Sequence, residues 1–108
     1  MKARLIHYSP LFIQDFEEAY AWYGDASSGG VGDRFMDAVD VTVRLIATEP
    51  GVGRRLNTRL AKLKKLQCFR VAPPFDSYLV FYRCVEDEVF MERVLHGARD
   101  LPEVLKKQ

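Results

Sequence analysis

The feature that most constrains the fold is a pair of apolar runs in the C-terminal third of the sequence. Residues 78–85 and 89–96 are separated only by Glu86, Asp87 and Glu88. Two such runs around a short polar interruption predict antiparallel strands joined by a tight turn. The first run is apolar at positions that face both sides of a sheet, so we expect it to be an interior strand.

Two amphipathic helices are predicted before these strands. Ser9 and Pro10 suit the start of a helix that ends near Gly24, and a second helix is expected over residues 33–48. The Gly- and Ser-rich residues 25–32 form a short loop between them, which favours an antiparallel αα-hairpin. The expected core positions, at helical spacing, are Phe12, Phe16, Ala19 or Tyr20, Tyr23, Phe35, Val39, Thr42 and Ile46. The first helix is expected to place Gln14, Asp15, Glu17 and Glu18 on its solvent face.

Two further strands complete the predicted order. Residues 3–8 are compatible with a first strand and residues 66–72 with a second, while Pro73 and Pro74 cannot continue a ladder. The order is then β-α-α-β-β-β. It predicts an α+β fold in which a four-stranded antiparallel sheet carries the N-terminal αα-hairpin on one face. The 108 residues, 1–108, fit a single domain.

Composition excludes several classes of protein. Hydrophobic residues make up 48% of the chain, which is enough for a core without disulfides, yet no apolar run approaches the ~18 residues of a membrane span. The N-terminal residues lack the apolar centre of a signal peptide, so we expect a cytoplasmic protein with no membrane partner. Cys68 and Cys84 have no cysteine or histidine at ligand spacing, which predicts two buried thiols and no metal. No cofactor is expected, because nucleotide-binding motifs are missing.

Charge is unevenly distributed although the net charge is only +1. Residues 51–75 contain seven bases and no acid, whereas the two predicted helices are acidic. One interpretation is a pair of solvated faces. The other is a basic surface for an anionic partner, either nucleic acid or an acidic peptide.

The end of the last predicted strand has residues that a plain strand end does not need. His96 is followed, after Gly97, by Arg99, and Arg70 lies in a strand of the same sheet. Such a trio could stabilise a phosphate, with the histidine as general acid or base. The alternative is structural, with His96 hydrogen-bonded at the strand end and Arg99 paired with a nearby acid.

Four motifs suggest a family. They are YSP at residues 8–10, PGVGRRL at 50–56, YLVFYR at 78–83 and RVLHGARDL at 93–101. With them the chain resembles type II toxin–antitoxin toxins of the RelE/ParE superfamily, nearer the ParE branch. The resemblance covers nearly the whole chain and implies an αα-hairpin packed on an antiparallel sheet. It also implies a cognate antitoxin, often with a ribbon-helix-helix DNA-binding part and a flexible, acidic or amphipathic tail.

The resemblance implies two different activities, since ParE-like members inhibit DNA gyrase and RelE-like members cut mRNA in the ribosomal A site. Arg99 matches the arginine that RelE-like nucleases have where the chain leaves the last strand. Arg70 roughly matches a basic residue that they have in a middle strand. Tyr78, however, stands where nucleases often have an arginine, and Leu105 where some have a late tyrosine. His96 could substitute for that tyrosine, but it is equally part of the ParE-type motif. The incomplete set favours an inhibitor that binds gyrase without chemistry.

No residue is therefore favoured as catalytic. If the protein is a nuclease, the residues expected to act are Arg70, His96 and Arg99. Contacts with the target or the antitoxin are expected at Arg54, Arg55, Lys64, Lys65 and Arg99. Direct sequence-specific nucleic-acid binding is not expected, and a third possibility is a silent member that only binds its antitoxin.

Overall fold

A computed structural model describes residues 3–26, 29–56 and 63–97 of the chain. Two helices and five strands lie in these ranges, with a short 3₁₀ turn at Pro50–Val52. The helices are α1 (Pro10–Ala26) and α2 (Val31–Thr48). The strands are β1 (Leu5–Tyr8), β2 (Arg54–Arg55), β3 (Gln67–Arg70), β4 (Tyr78–Val85) and β5 (Glu88–His96).

The strands form one sheet in the order β1-β5-β4-β3-β2, so β4 lies at its centre as its composition predicts. Strands β4 and β5 form the expected hairpin, in which Val85 pairs with Glu88 across a turn of Glu86 and Asp87. Glu86 adopts a φ of 54°, a left-handed conformation that few residues other than glycine favour. The predicted hairpin is therefore present, with a two-residue turn.

The α+β fold class is confirmed, with two corrections to the sheet. It has five strands instead of four, because Arg54 and Arg55 pair with Cys68 and Gln67. A two-residue strand is too short to leave an alternating pattern in the sequence. The sheet is also mixed, because β1 runs parallel to β5 with Leu5 opposite Glu88. Parallel neighbours need a long crossover, and the intervening helices and strands supply it.

The two helices form the predicted antiparallel hairpin. Phe16 stacks on Phe35 with ring centroids 5.8 Å apart, and Tyr20 donates a 2.7 Å hydrogen bond to Asp33. The later residue of α1 thus contacts the earlier residue of α2, which shows that the two helices are antiparallel. The linker is shorter than predicted, since α1 continues to Ala26 and α2 begins at Val31.

Both faces of the central strand are covered. On one face α1 and α2 bury the larger core, in which Phe35, Val80 and Tyr82 are almost inaccessible to solvent. On the other face a smaller cluster consists of Leu63, Leu66, Cys68, Phe81 and Leu95. This second cluster explains why β4 is apolar at nearly every position.

The two thiols lie in different settings. Cys68 is buried and Cys84 is partly buried, and both are free. Burial raises the pKa of the Cys68 thiol, although the nearby guanidinium groups of Arg54 and Arg70 lower it in part. No helix in the described ranges combines the length and apolar character that crossing a membrane requires.

Candidate functional site

The segment after β5 begins as an exposed strand end. His96 is exposed, and its ring meets the Tyr78 ring edge to face with centroids 5.1 Å apart. The backbone N–H of Gly97 donates a 2.7 Å hydrogen bond to the Ser77 carbonyl. This bond fixes the backbone at the point where the chain leaves β5. Arg99 lies outside the described residues, so its expected contacts remain predictions.

The other two residues of the hypothetical phosphate site lie on opposite faces of the sheet. Arg70 pairs with Leu79, which in turn pairs with Leu95, and residues directly opposite one another share a face. His96 follows Leu95 and therefore faces the other side, where its partner Tyr78 packs against the helices. The structure does not bring Arg70 and His96 together at one site.

The predicted contact residues are distributed over two segments. Arg54 and Arg55 form β2, while Lys64 and Lys65 lie in a turn before β3, and all four are exposed. Within the described ranges the ion pairs involve other residues, so these four bases remain available to a partner. Arg59 and Lys62, which also belong to the basic segment, lie outside the description.

Arg54 and Arg70 line a groove of about 610 Å³ at the edge of β3. Helix α2 forms one wall with Val41 and Leu45, both substantially exposed, and Val52 closes the end near β2. One acidic residue, Asp76, also lines it. The groove thus combines an apolar wall with two guanidinium groups, a setting suited to an anionic, partly apolar peptide.

A buried ion pair that the sequence analysis missed joins α1 to β5. The Arg93 guanidinium donates to both carboxylate oxygens of Asp15 at 2.7 and 2.8 Å, and both residues are 7% exposed. Asp15 also accepts the backbone N–H of Val94 at 3.2 Å. The hydrogen bond to Asp15 raises the pKa of Arg93 further above its ordinary range.

Spacing could have revealed this pair. Asp15 follows Phe12 by three positions and precedes Ala19 by four, which places it on the buried stripe and not on the predicted solvent face. An acid on that stripe needs a buried cationic partner. The RVLHGARDL motif supplies Arg93, which binds Asp15 and so holds α1 against β5.

Two other motifs also act through structural contacts. Ser9 of YSP accepts the Phe12 N–H at 3.0 Å as a helix N-cap, and its hydroxyl donates to the Glu92 carbonyl at 2.8 Å. Tyr82 of YLVFYR donates to the Pro50 carbonyl at 2.5 Å and accepts the Gly53 N–H at 2.9 Å. YLVFYR and PGVGRRL are therefore joined directly to each other.

Several solved structures share this architecture. The chromosomal ParDE system of Pseudomonas aeruginosa aligns with a TM-score of 0.69 at 8% identity, over 87% of this chain and 96% of that one. The RelBE2 toxin–antitoxin complex of Mycobacterium tuberculosis gives 0.63 at 18% identity, over 88% and 99% of the two chains. The DinJ-YafQ toxin–antitoxin complex of Escherichia coli gives 0.58 at 16% identity, over 90% and 96%. At these identities the likeness shows the fold alone.

No match was found among curated proteins. The family model for the ParE toxin of the type II toxin–antitoxin system, parDE, matches residues 6–101. This range includes the four motifs that suggested the RelE/ParE superfamily, and that identification is confirmed. The chain belongs to the family of ParE toxins of type II toxin–antitoxin systems.

Proposed function

We propose that this protein inhibits DNA gyrase by binding it, without chemistry of its own, and that a cognate antitoxin neutralises it. The observation that carries the proposal is the placement of Arg70 and His96 on opposite faces of the sheet. A nuclease needs its bases and its proton-transferring group around one phosphate. Family membership supports the toxin role, and the expected cytoplasmic location is where such a target would be met.

An in vitro supercoiling assay tests the proposal. We expect the purified toxin to inhibit gyrase and to accumulate cleaved complexes in proportion to its concentration. Unimpaired supercoiling at saturating toxin would reject the proposal. A primer-extension experiment on translated mRNA runs in parallel, because cuts in the ribosomal A site would establish the nuclease alternative instead.

A charge-reversal pair tests the predicted contact surface. If β2 contacts gyrase, Arg54→Glu with Arg55→Glu should weaken inhibition by about tenfold, because exposed charges at an interface govern association. Arg34→Glu with Arg44→Glu, on α2, makes the same change in net charge and should leave inhibition within about twofold. Equal losses in both variants would mean that net charge, not this surface, governs inhibition.

The antitoxin partner is supported by the solved relatives, since RelBE2 and DinJ-YafQ are toxin–antitoxin complexes. Growth distinguishes an active toxin from a silent member. We expect expression of the protein alone to stop growth and co-expression with its antitoxin to restore it. Normal growth with abundant, folded protein would favour a member that only binds its antitoxin.

A further inference from the structure

A pocket of about 420 Å³ lies between α1 and the strand ends at Tyr78 and His96, and among the described residues it shares none with the groove beside β3. Its helical wall is one stripe of α1, on which Asp15, Ala19 and Trp22 follow at intervals of four and three residues. The small Ala19 stands in the middle of this stripe and leaves space that a larger side chain would fill. The volume is in the range of ligand pockets, so a whole side chain of a partner can enter.

Aromatic rings form a continuous series along this pocket. Trp22 meets Tyr23 edge to face with centroids 5.0 Å apart, and Tyr23 lies 6.2 Å from Tyr78. Tyr78 in turn meets the His96 ring at 5.1 Å. Tyr23 and Tyr78 are held by the core ring of Phe35, at 5.2 and 5.0 Å, whereas Trp22 is 61% exposed. A largely exposed tryptophan beside fixed rings is typical of a residue that contacts a partner.

The charge around the pocket favours a cation. Asp15 and Glu18 both line it, and within the described ranges no lysine or arginine does. The hydrogen bond to Asp15 and, further down in effect, the charge of Glu18 raise the pKa of Arg93, so both acids lie near this one guanidinium. Two carboxylates beside one guanidinium leave an excess of negative charge in a partly enclosed space, where charges act more strongly than in bulk water.

A guanidinium group suits these walls better than an ammonium group. It is planar and weakly hydrated, so it can stack on the face of Trp22 while it pairs with a carboxylate such as that of Glu18. The apolar stem of an arginine side chain can meanwhile lie along Ala19 and Val94. The pocket therefore matches an arginine side chain in shape, in ring chemistry and in charge.

We propose that this pocket receives an arginine side chain from the surface with which gyrase binds DNA. The proposal rests on the inhibition of gyrase proposed above. An enzyme that acts on DNA must present arginine and lysine side chains to the phosphate backbone, so its DNA-binding surface offers such groups. The antitoxin is expected to have an acidic tail, which the excess negative charge of the pocket would repel. The charge thus assigns the pocket to the target and not to the antitoxin.

A blocked tripeptide, acetyl-Gly-Arg-Gly-amide, is the first probe. Trp22 is the single tryptophan of the chain, so the fluorescence of the whole protein reports on this pocket. We expect the peptide to change that fluorescence saturably. The citrulline analogue, which has a similar shape without the charge, should leave it unchanged. A change no larger than that of free N-acetyltryptophanamide in the same peptide solution would overturn the proposal.

Two neighbouring acids on α1 provide matched variants. Glu18→Gln should weaken binding of the arginine peptide by about tenfold, because it removes a carboxylate from the pocket. Glu17→Gln makes the same change in net charge on the exposed side of the helix and should leave the affinity within about twofold. Thermal melts of both variants establish that they are folded. Equal weakening by the two would mean that net charge, not the pocket, attracts the peptide.

The supercoiling assay connects the pocket to gyrase. Trp22→Leu keeps an apolar side chain but removes the ring, and we expect it to raise the toxin concentration that half-inhibits gyrase by about tenfold, as Glu18→Gln should. Glu17→Gln should inhibit as the unmodified protein does. Neutralisation by the antitoxin should be the same in all of these proteins.

The outcomes separate this proposal from the one it rests on. If the unmodified toxin inhibits gyrase and Trp22→Leu inhibits it equally well, the pocket does not contact gyrase and the proposed function stands. If the unmodified toxin leaves gyrase active, the proposed function fails, and its assignment of this pocket to gyrase fails with it, whatever the arginine peptide does. If Trp22→Leu still inhibits gyrase but escapes the antitoxin, the pocket belongs to the antitoxin and the proposal is wrong.

Discussion

The motif residues that identify the family act in this molecule mainly as structural connections. Arg93 binds Asp15, Tyr82 binds the turn at Pro50 and Gly53, and Ser9 joins the start of α1 to β5. Each residue connects parts of the chain that are distant in sequence. A motif of this kind identifies the fold strongly and an activity weakly, because one fold can carry sites with different functions.

The buried Asp15–Arg93 pair gives the largest predicted effect of a single substitution. Asp15→Ala removes the carboxylate that accepts two hydrogen bonds from the buried Arg93 guanidinium, which should lower the free energy of unfolding by about 3–5 kcal/mol in urea denaturation. Glu17→Ala, on the exposed side of the same helix, should change it by less than about 0.5 kcal/mol. Adding Arg93→Met to Asp15→Ala should recover part of the loss. An effect of Asp15→Ala no larger than that of Glu17→Ala would show that the pair contributes little.

Two glycines in the PGVGRRL motif offer a matched comparison. A Cβ atom at Gly53 would lie 2.3 Å from the Tyr82 hydroxyl oxygen, whereas one at Gly51 would meet no atom within 4 Å. Gly53→Ala should therefore lower the unfolding free energy by about 1–3 kcal/mol, because the turn and Tyr82 must separate. Gly51→Ala should be neutral to within about 0.5 kcal/mol. Thermal melts of the two variants side by side provide the check, and similar melting temperatures would contradict it.

At the scale of elements, the sequence predicts what depends on local periodicity. The two helices, the β4–β5 hairpin and the position of β4 inside the sheet follow from apolar spacing and from turn residues. The strand Arg54–Arg55 could not be predicted in this way, because two residues have no period. The parallel pairing of β1 depends on where the helices return the chain, which local patterns do not encode.

The candidate site was less predictable than the fold for a related reason. Whether Arg70 and His96 share a face depends on the register between three strands, and a shift of one residue reverses it. The basic character of residues 51–75 was visible in the sequence, but the groove to which Arg54 and Arg70 contribute was not.

One side chain connects α2 to the segment that follows β3. Thr42 donates to the Ala38 carbonyl at 2.7 Å, accepts the Ala72 N–H and is 2% exposed. Thr42→Val leaves that N–H without its partner, so it should lower the unfolding free energy by about 1–3 kcal/mol. Thr48→Val removes a similar bond, to the Arg44 carbonyl, from a more exposed place and should cost less than about 1 kcal/mol. Chemical denaturation of the two variants tests this, and equal losses would argue against the Thr42–Ala72 connection.

For the molecule as a whole, a buried phenol and a buried thiol with raised pKa values predict how the stability of the fold changes at alkaline pH. Burial raises the pKa of Tyr82 above its ordinary 10.0 and that of Cys68 above its ordinary 9.0. The folded state therefore holds these protons more tightly than the unfolded chain. The stability linked to them is fully present below the ordinary pKa values and is lost as the pH rises through the raised ones.

Melting temperatures measured from about pH 7 to about pH 11 should consequently fall most steeply at the alkaline end. Tyr82→Phe should have a lower melting temperature at neutral pH, because the hydrogen bonds to Pro50 and Gly53 are lost. Its melting temperature should then fall less steeply as the pH rises. The same slope in Tyr82→Phe and in the unmodified protein would show that Tyr82 does not contribute to the alkaline decline.

The parallel pairing of β1 with β5 determines how late in translation the sheet can be completed. Leu5 of β1 pairs with Glu88 of β5, so β1 has no partner until β5, the last strand in the described ranges, has been made. Contacts so distant along the chain form late and slow the folding of a domain. A ribosome that has made both helices and three of the strands therefore holds no completed toxin sheet. The proposed toxicity can then begin only after β5 has been made, which would give the proposed antitoxin, where it is already present in the cell, time to meet each new chain as it folds.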